Sequence, residues 1–179
     1  VGNAAAVGFG FIGYVFSSDS MKELTIPQLV AIVAHEFGHW KWAHSTISLL
    51  LLILQILLIN SALYLFRRRS WYRSIISQPY SEPLEVPFAL SFAIFTIAMT
   101  PIDTIIAMIM NLASWAKEIS ADRFAVELGY GQDLIEGLAA LLDSVFGVLL
   151  TYSSPVYGLL YLDHPPNNVR FSLIRSMMK

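Results

Sequence analysis

Along this chain, long apolar runs alternate with short polar clusters, and the runs have the length of helices. From residue 46 to residue 66 there is no charged side chain, and leucine and isoleucine dominate. Residues 88–112 form a second run, with Pro101 and Asp103 near its middle. About 20 residues rising 1.5 Å each cross a hydrocarbon layer about 30 Å thick, so both runs are expected to span a membrane. Asp103 is then expected to face a cavity or a helix partner rather than lipid. Residues 67–87 carry Arg67, Arg68, Arg69 and Arg73, then Pro79, Pro83 and Pro87, and read as an exposed loop.

The flanking segments predict shorter elements. Residues 1–16 are small, apolar and punctuated by glycine, and Gly8-Phe9-Gly10-Phe11 suits a short strand or hairpin. Thr25-Ile26-Pro27-Gln28 fits a capping box with proline in the first turn. Only Gly38 interrupts the pattern from Gln28 to Phe66, which predicts one long helix or two nearly continuous ones. After the second run, helical character continues through Trp115 to Leu128, and Gly129-Tyr130-Gly131 is a cap and turn. From Gln132 to about Leu150 the pattern is amphipathic, with Leu134, Leu138, Leu141, Leu142 and Val145 on one side. Ser153-Ser154-Pro155 breaks the chain. Asp163-His164-Pro165-Pro166-Asn167-Asn168 is a rigid loop before a final short helix that ends near Met178. The expected fold class is mainly α: an integral-membrane helical protein with a short N-terminal strand or hairpin. The expected organisation is a single catalytic core over residues 1–179, with a helical subdomain over 113–179. The chain opens at Val1 without the basic segment of a signal peptide, which suggests the C-terminal part of a longer protein.

Composition narrows the function. The chain is 56% hydrophobic and 13% charged, too greasy for an ordinary soluble domain. A formal net charge of −2 argues against nucleic acid as a partner. There is no cysteine, so disulfides and thiolate metal sites are excluded and any metal must sit on nitrogen and oxygen. The arginine-rich loop would be cytoplasmic by the positive-inside rule, but the other Lys and Arg residues lie on the opposite side, so orientation stays open.

His35-Glu36-Phe37-Gly38-His39 supplies the chemistry. Residues four apart share one helix face, so both imidazoles can point at one metal ion. Glu36 then lies beside the metal and can accept a proton from water as a general base. Leu29, Val30, Ile32, Val33, Ala34 and Phe37 make the surrounding helix apolar, where a His-Glu-His cluster without a cationic partner would be costly. Zinc needs a third protein ligand, usually His, Asp or Glu. His44 is nine residues past His35, half a turn out of phase on a continuous helix, and reads instead as an interfacial or supporting residue. Glu118 is the better ligand, with Asp122 four residues on to accept the free N–H of a ligating histidine. His164, stiffened by two following prolines, can donate to an oxyanion. Arg170 can hold a substrate carboxylate or a structural acid such as Asp122.

His35-Glu36-Phe37-Gly38-His39-Trp40-Lys41-Trp42-Ala43-His44, Glu118-Ile119-Ser120-Ala121-Asp122-Arg123-Phe124-Ala125 and His164-Pro165-Pro166 with Arg170 resemble the three signatures of the type I CaaX prenyl endoproteases. Asn3-Ala4 resembles the segment by which that family's edge strand holds substrate backbone. The resemblance covers nearly the whole chain and matches the C-terminal half of family members. It departs at Ser114-Trp115-Ala116-Lys117, where the family usually carries an arginine pair. It implies an enzyme of the endoplasmic reticulum membrane with its active site facing the cytosol. One zinc per chain would sit on His35, His39 and Glu118, with Glu36 and His164 catalytic, Asp122 and Arg170 supporting, and Asn3, Ala4 and Arg170 contacting substrate. The substrate would be a prenylated protein or peptide cut after its modified cysteine. A related group of membrane quality-control zinc proteases shares the motifs without the prenyl preference, and a catalytically silent membrane scaffold is a further alternative.

Overall fold

The structure, a computed structural model, describes the backbone of residues 4–9 and 12–17 and the whole of residues 24–68, 87–141 and 154–179. It is mainly helical. Strands β1 (Ala4–Phe9) and β2 (Ile12–Ser17) pair antiparallel, with Ala4 opposite Ser17 and Phe9 opposite Ile12. Six helices follow: α1 (Ile26–Lys41), α2 (His44–Arg68), α3 (Phe88–Glu127), α4 (Gly131–Ala140), α5 (Pro155–Tyr161) and α6 (Asn167–Met177). Most of the loop expected over 67–87, the distal part of the amphipathic segment (Leu142 and Val145 included) and Asn3 lie outside the described residues.

The chain forms two compact units, Val1–Ile47 with Ala107–Lys179, and Ser48–Ile106. In the first, α1, α3, α4 and α6 enclose a core of Ala31, Ile32, Ala34, Ala125, Leu134, Ile135 and Ile174. α1 begins as its residues dictate: Gln28 Oε1 accepts from the Thr25 backbone N–H at 3.0 Å, and Pro27 occupies a first-turn position where no N–H is needed. The face of α1 that turns inward is Ala31, Ile32, Ala34 and His35, while Leu29, Val30 and Phe37 face outward. β1 lies alongside α1. In the second unit, Phe66 and Phe95 meet edge to face with centroids 5.6 Å apart, Leu63 is buried, and the Arg67 guanidinium lies 5.1 Å from the Phe88 ring.

α1 and α2 are two nearly continuous helices, the second of the two arrangements the sequence allows. Ala43 adopts φ 51°, a left-handed conformation that costs a non-glycine residue about 1–2 kcal/mol. Its N–H donates to the Trp40 carbonyl at 3.0 Å, closing a turn between Lys41 and His44. Nothing in an alanine's side chain announces this break. Past residue 112 helical character continues, as the sequence expects. α3 runs unbroken for 40 residues, with Pro101 inside it, because residues 113–127 contain no breaker. It stops at Gly129, whose φ of +90° ends the helix without steric cost. Pro155 opens α5, whose Val156 N–H donates to Ser154 Oγ at 3.3 Å.

α2 and α3 are each long and apolar enough to cross a membrane. Only 6% of the most apolar window of each helix is buried within the protein, so those windows are not core segments of the described fold. Leu50, Leu57, Leu58, Ile97 and Ile105 all lie exposed.

Candidate metal centre

Two helices of the first unit carry the polar residues, and small side chains let them touch. A Cβ added to Gly38 would stand 2.8 Å from the Ala121 Cα, inside van der Waals contact. Gly38 precedes His39 in α1, and Ala121 precedes Asp122 in α3. The backbone crossing therefore brings the His35/His39 pair against the Glu118/Asp122 pair, each spaced one helical turn apart.

At the crossing, His35 Nε2 and His39 Nε2 lie 3.2 Å apart. Glu118 Oε1 is 3.2 Å from His39 Nε2, and Glu118 Oε2 is 3.6 Å from His35 Nε2. Donor atoms bound tetrahedrally to one zinc ion at about 2.0–2.2 Å stand about 3.3–3.6 Å from one another. This triangle of two imidazole nitrogens and a carboxylate therefore fits a divalent cation and leaves a fourth position open. All three residues offer their donors within 4.8 Å of one another, and among the described residues no other such cluster occurs.

Further groups brace the triangle. Asp122 Oδ1 lies 2.9 Å from His35 Nδ1, an ionic contact rather than a well-aligned hydrogen bond. Arg170 clamps Asp122 bidentately, Nε donating to Oδ2 at 2.9 Å and Nη2 to Oδ1 at 2.6 Å, and its Nη1 lies 3.5 Å from Glu118 Oε2. Burial opposes charge on His35, yet the Asp122 and Glu118 carboxylates prevail and hold its pKa up to about 9. Burial likewise opposes charge on Arg170, and Asp122 outweighs it, so the guanidinium stays charged. His164 Nδ1 reaches Glu118 Oε1 at 3.2 Å, and that contact raises the His164 pKa. The His164 side chain is 61% exposed, so it stands on the open side of the centre. Glu36 is buried beside His35.

Residues 1–178 match the sequence profile of peptidase family M48. The chain belongs to that family. It is 31% identical over 140 residues to a CAAX prenyl protease 1 homolog of Arabidopsis thaliana, covering 78% of this chain and 31% of the relative. It is 32% identical over 157 residues to a probable CAAX prenyl protease 1 of Schizosaccharomyces pombe, covering 86% of this chain and 31% of the relative. The crystal structure of S. mikatae Ste24p superimposes with a TM-score of 0.76 at 26% identity, covering 97% of this chain and 42% of that one. The chain thus spans about a third of the length of the curated relatives it matches.

The site residues expected from sequence fall into three groups. His35, Glu36, His39, Glu118, Asp122, His164 and Arg170 lie together in one unit. Ala4 opens β1 at a distance along the chain from all of them, and Asn3 lies outside the described residues. Of the two roles expected of Arg170, the structure displays the pairing with Asp122. Arg170 is 6% exposed, its guanidinium clamped on Asp122 with Nη1 3.5 Å from Glu118 Oε2. Four further residues also take part, among them His44, which the sequence reads as an interfacial or supporting residue. His44, placed on the far side by assuming an unbroken helix, instead lies with its Nδ1 3.0 Å from His39 Nδ1 and its Nε2 3.3 Å from Ser120 Oγ. Asn111 Nδ2 donates to the Leu159 carbonyl at 2.9 Å and Trp115 Nε1 to the Leu162 carbonyl at 3.1 Å, fastening the segment that leads into His164. Asn111 and Trp115 stand four apart, but two polar groups within an apolar run point equally well to lipid headgroups.

Proposed function

We propose that the protein is a membrane zinc endopeptidase that cuts prenylated CaaX-type proteins or peptides after the modified cysteine. The observation that carries the reading is the triangle of His35, His39 and Glu118 donors, with Glu36 buried and next to His35 in α1, in a chain of a peptidase family whose relatives are named CAAX prenyl proteases. When bound by those three residues, one zinc ion per chain supplies Lewis acidity to the scissile carbonyl and to a water molecule. Glu36 accepts the water's proton at its carboxylate and passes it to the leaving amine, acting first as base and then as acid. His164, on the open side, donates an N–H to the carbonyl oxygen as negative charge grows there. Asp122 keeps the proton of His35 on Nδ1 and leaves Nε2 free to ligate, and Arg170 holds Asp122 in place. The edge of β1 not paired with β2 offers backbone groups to an extended peptide, where Asn3 and Ala4 would align substrate.

The apolar exposed flanks of α2 and α3 support a bilayer as solvent, with residues 46–66 and 88–112 as the spans. Kinship with the named proteases supports the endoplasmic reticulum membrane, with the centre facing the cytosol where prenylated chains arise. The test is cleavage of a prenylated CaaX peptide beside its unprenylated twin. Hydrolysis of the prenylated peptide alone agrees with the proposal. Equal hydrolysis of both would replace it with a quality-control protease lacking prenyl preference, and hydrolysis of neither, with zinc bound, would leave a silent scaffold.

A further inference from the structure

A chain of hydrogen bonds behind His39 is not explained by the chemistry above. His39 has its Nε2 among the donors, 3.2 Å from Glu118 Oε1 and 3.2 Å from His35 Nε2. Its other nitrogen, Nδ1, is 3.0 Å from His44 Nδ1. If Nε2 of His39 is to be bare for a metal, its proton resides on Nδ1 and donates to His44. His44 must then carry its own proton on Nε2, where Ser120 Oγ lies 3.3 Å away to accept it. Ser120 Oγ in turn donates to the Lys117 carbonyl at 2.8 Å. With His39 Nε2 bare, every donor in this series meets one acceptor. The series ends on the backbone residue preceding Glu118.

The backbone is bent to make this contact. On a continuous helix, residue 44 would stand about 140° around the axis from residue 39 and could not face it. The left-handed turn at Ala43, φ 51°, brings His44 back, and His44 is buried (8% exposed) while the neighbouring Trp42 is half exposed. A strained non-glycine residue placed so that the next side chain meets a site residue is more than packing requires.

We infer that His44 is a positioning residue. Through its Nδ1 it fixes the tautomer and ring orientation of His39, and through Ser120 it registers α3, with Glu118, against α1, with His39. Asp122 and Arg170 serve His35 in the same way, so each histidine has its own acceptor, one anionic and one neutral. This inference rests on the metal-centre reading given above.

The experiment measures zinc affinity of the full chain by competition with a chromophoric chelator, and the visible absorption of the cobalt-substituted protein, for four proteins: wild type, His44→Leu, His44→Asn and Ser120→Ala. Asparagine keeps an acceptor oxygen near the place of the histidine Nδ1 while giving up the reach to Ser120. His44→Leu is expected to lose about 10–100-fold in affinity and to shift the cobalt bands, the usual cost of losing an outer partner of a ligand. His44→Asn should recover most of that loss, and Ser120→Ala should fall between wild type and His44→Leu. Equal affinity and spectra for wild type and a folded His44→Leu would overturn the inference. So would a His44→Asn protein no better than the leucine variant. Should His44→Leu fail to fold, a Ser120→Ala protein indistinguishable from wild type would overturn it alone. A wild-type protein that binds no zinc would refute the metal-centre reading itself, and the inference with it.

Discussion

Each polar residue at the centre is costly to bury alone and inexpensive in company. His35 is the clearest case. Its burial penalises charge, its two carboxylate neighbours reverse the penalty, and its pKa rises from 6.5 to about 9. A metal binds only the neutral imidazole, so proton and metal compete for it. Apparent zinc affinity should therefore climb as pH rises from 6.5 towards 9 and level off above. Titration of zinc by chelator competition across that range checks this, and a flat profile would contradict it. The zinc-free protein should behave in the opposite sense. The stability that charged His35 contributes is fully present below 6.5 and is lost as pH rises through about 9, so its melting temperature should fall over that interval. Glu36→Gln separates binding from chemistry. The amide is nearly isosteric but accepts no proton, so zinc should remain while peptide hydrolysis falls by about 10²–10⁴-fold. Activity within a few-fold of wild type would show that Glu36 is not the base. Asp122→Asn should cost about 10–100-fold in zinc affinity. An unchanged affinity would mean that the Asp122–Arg170 pair serves the fold rather than the centre.

At the scale of elements, helical periodicity made most of the centre legible. His35 with His39, and Glu118 with Asp122, are i and i+4 pairs whose shared faces follow from 3.6 residues per turn. The capping box at Thr25 and the turn at Gly129 were readable for the same reason, because residue type and backbone conformation coincide there. The break at Ala43 was not readable, since alanine is the strongest helix former and conceals a left-handed residue. That one angle decides where His44 points, so the contact with His39 was lost with it. The ties from Asn111 and Trp115 to α5 and the residue after it were invisible for another reason: the partners are backbone carbonyls 48 and 47 residues away. The crossing of α1 and α3 depends on Gly38 lacking a side chain. Gly38→Ala should push the helices apart, lowering stability by about 1–3 kcal/mol as overpacking does, and should weaken zinc binding with it. Thermal unfolding checks the first part. A variant as stable as wild type would mean that the crossing yields at no cost.

At the scale of the whole molecule, one compact unit carries all the described chemistry, and the other consists of helices with apolar exposed flanks. Such surface has no favourable aqueous solution unless lipid or protein covers it. The protein should accordingly stay with membranes through alkaline carbonate washing and leave them only in detergent, and release by carbonate would speak against spanning helices. The chain matches about a third of the length of its curated relatives, yet three donors that could hold one metal ion lie within it. Metal content measures that most directly. Elemental analysis of the purified protein should find about one zinc per chain, and His35→Ala and Glu118→Ala should each lose most of it. Full zinc retention in both variants would contradict the assignment of His35, His39 and Glu118 as the metal centre.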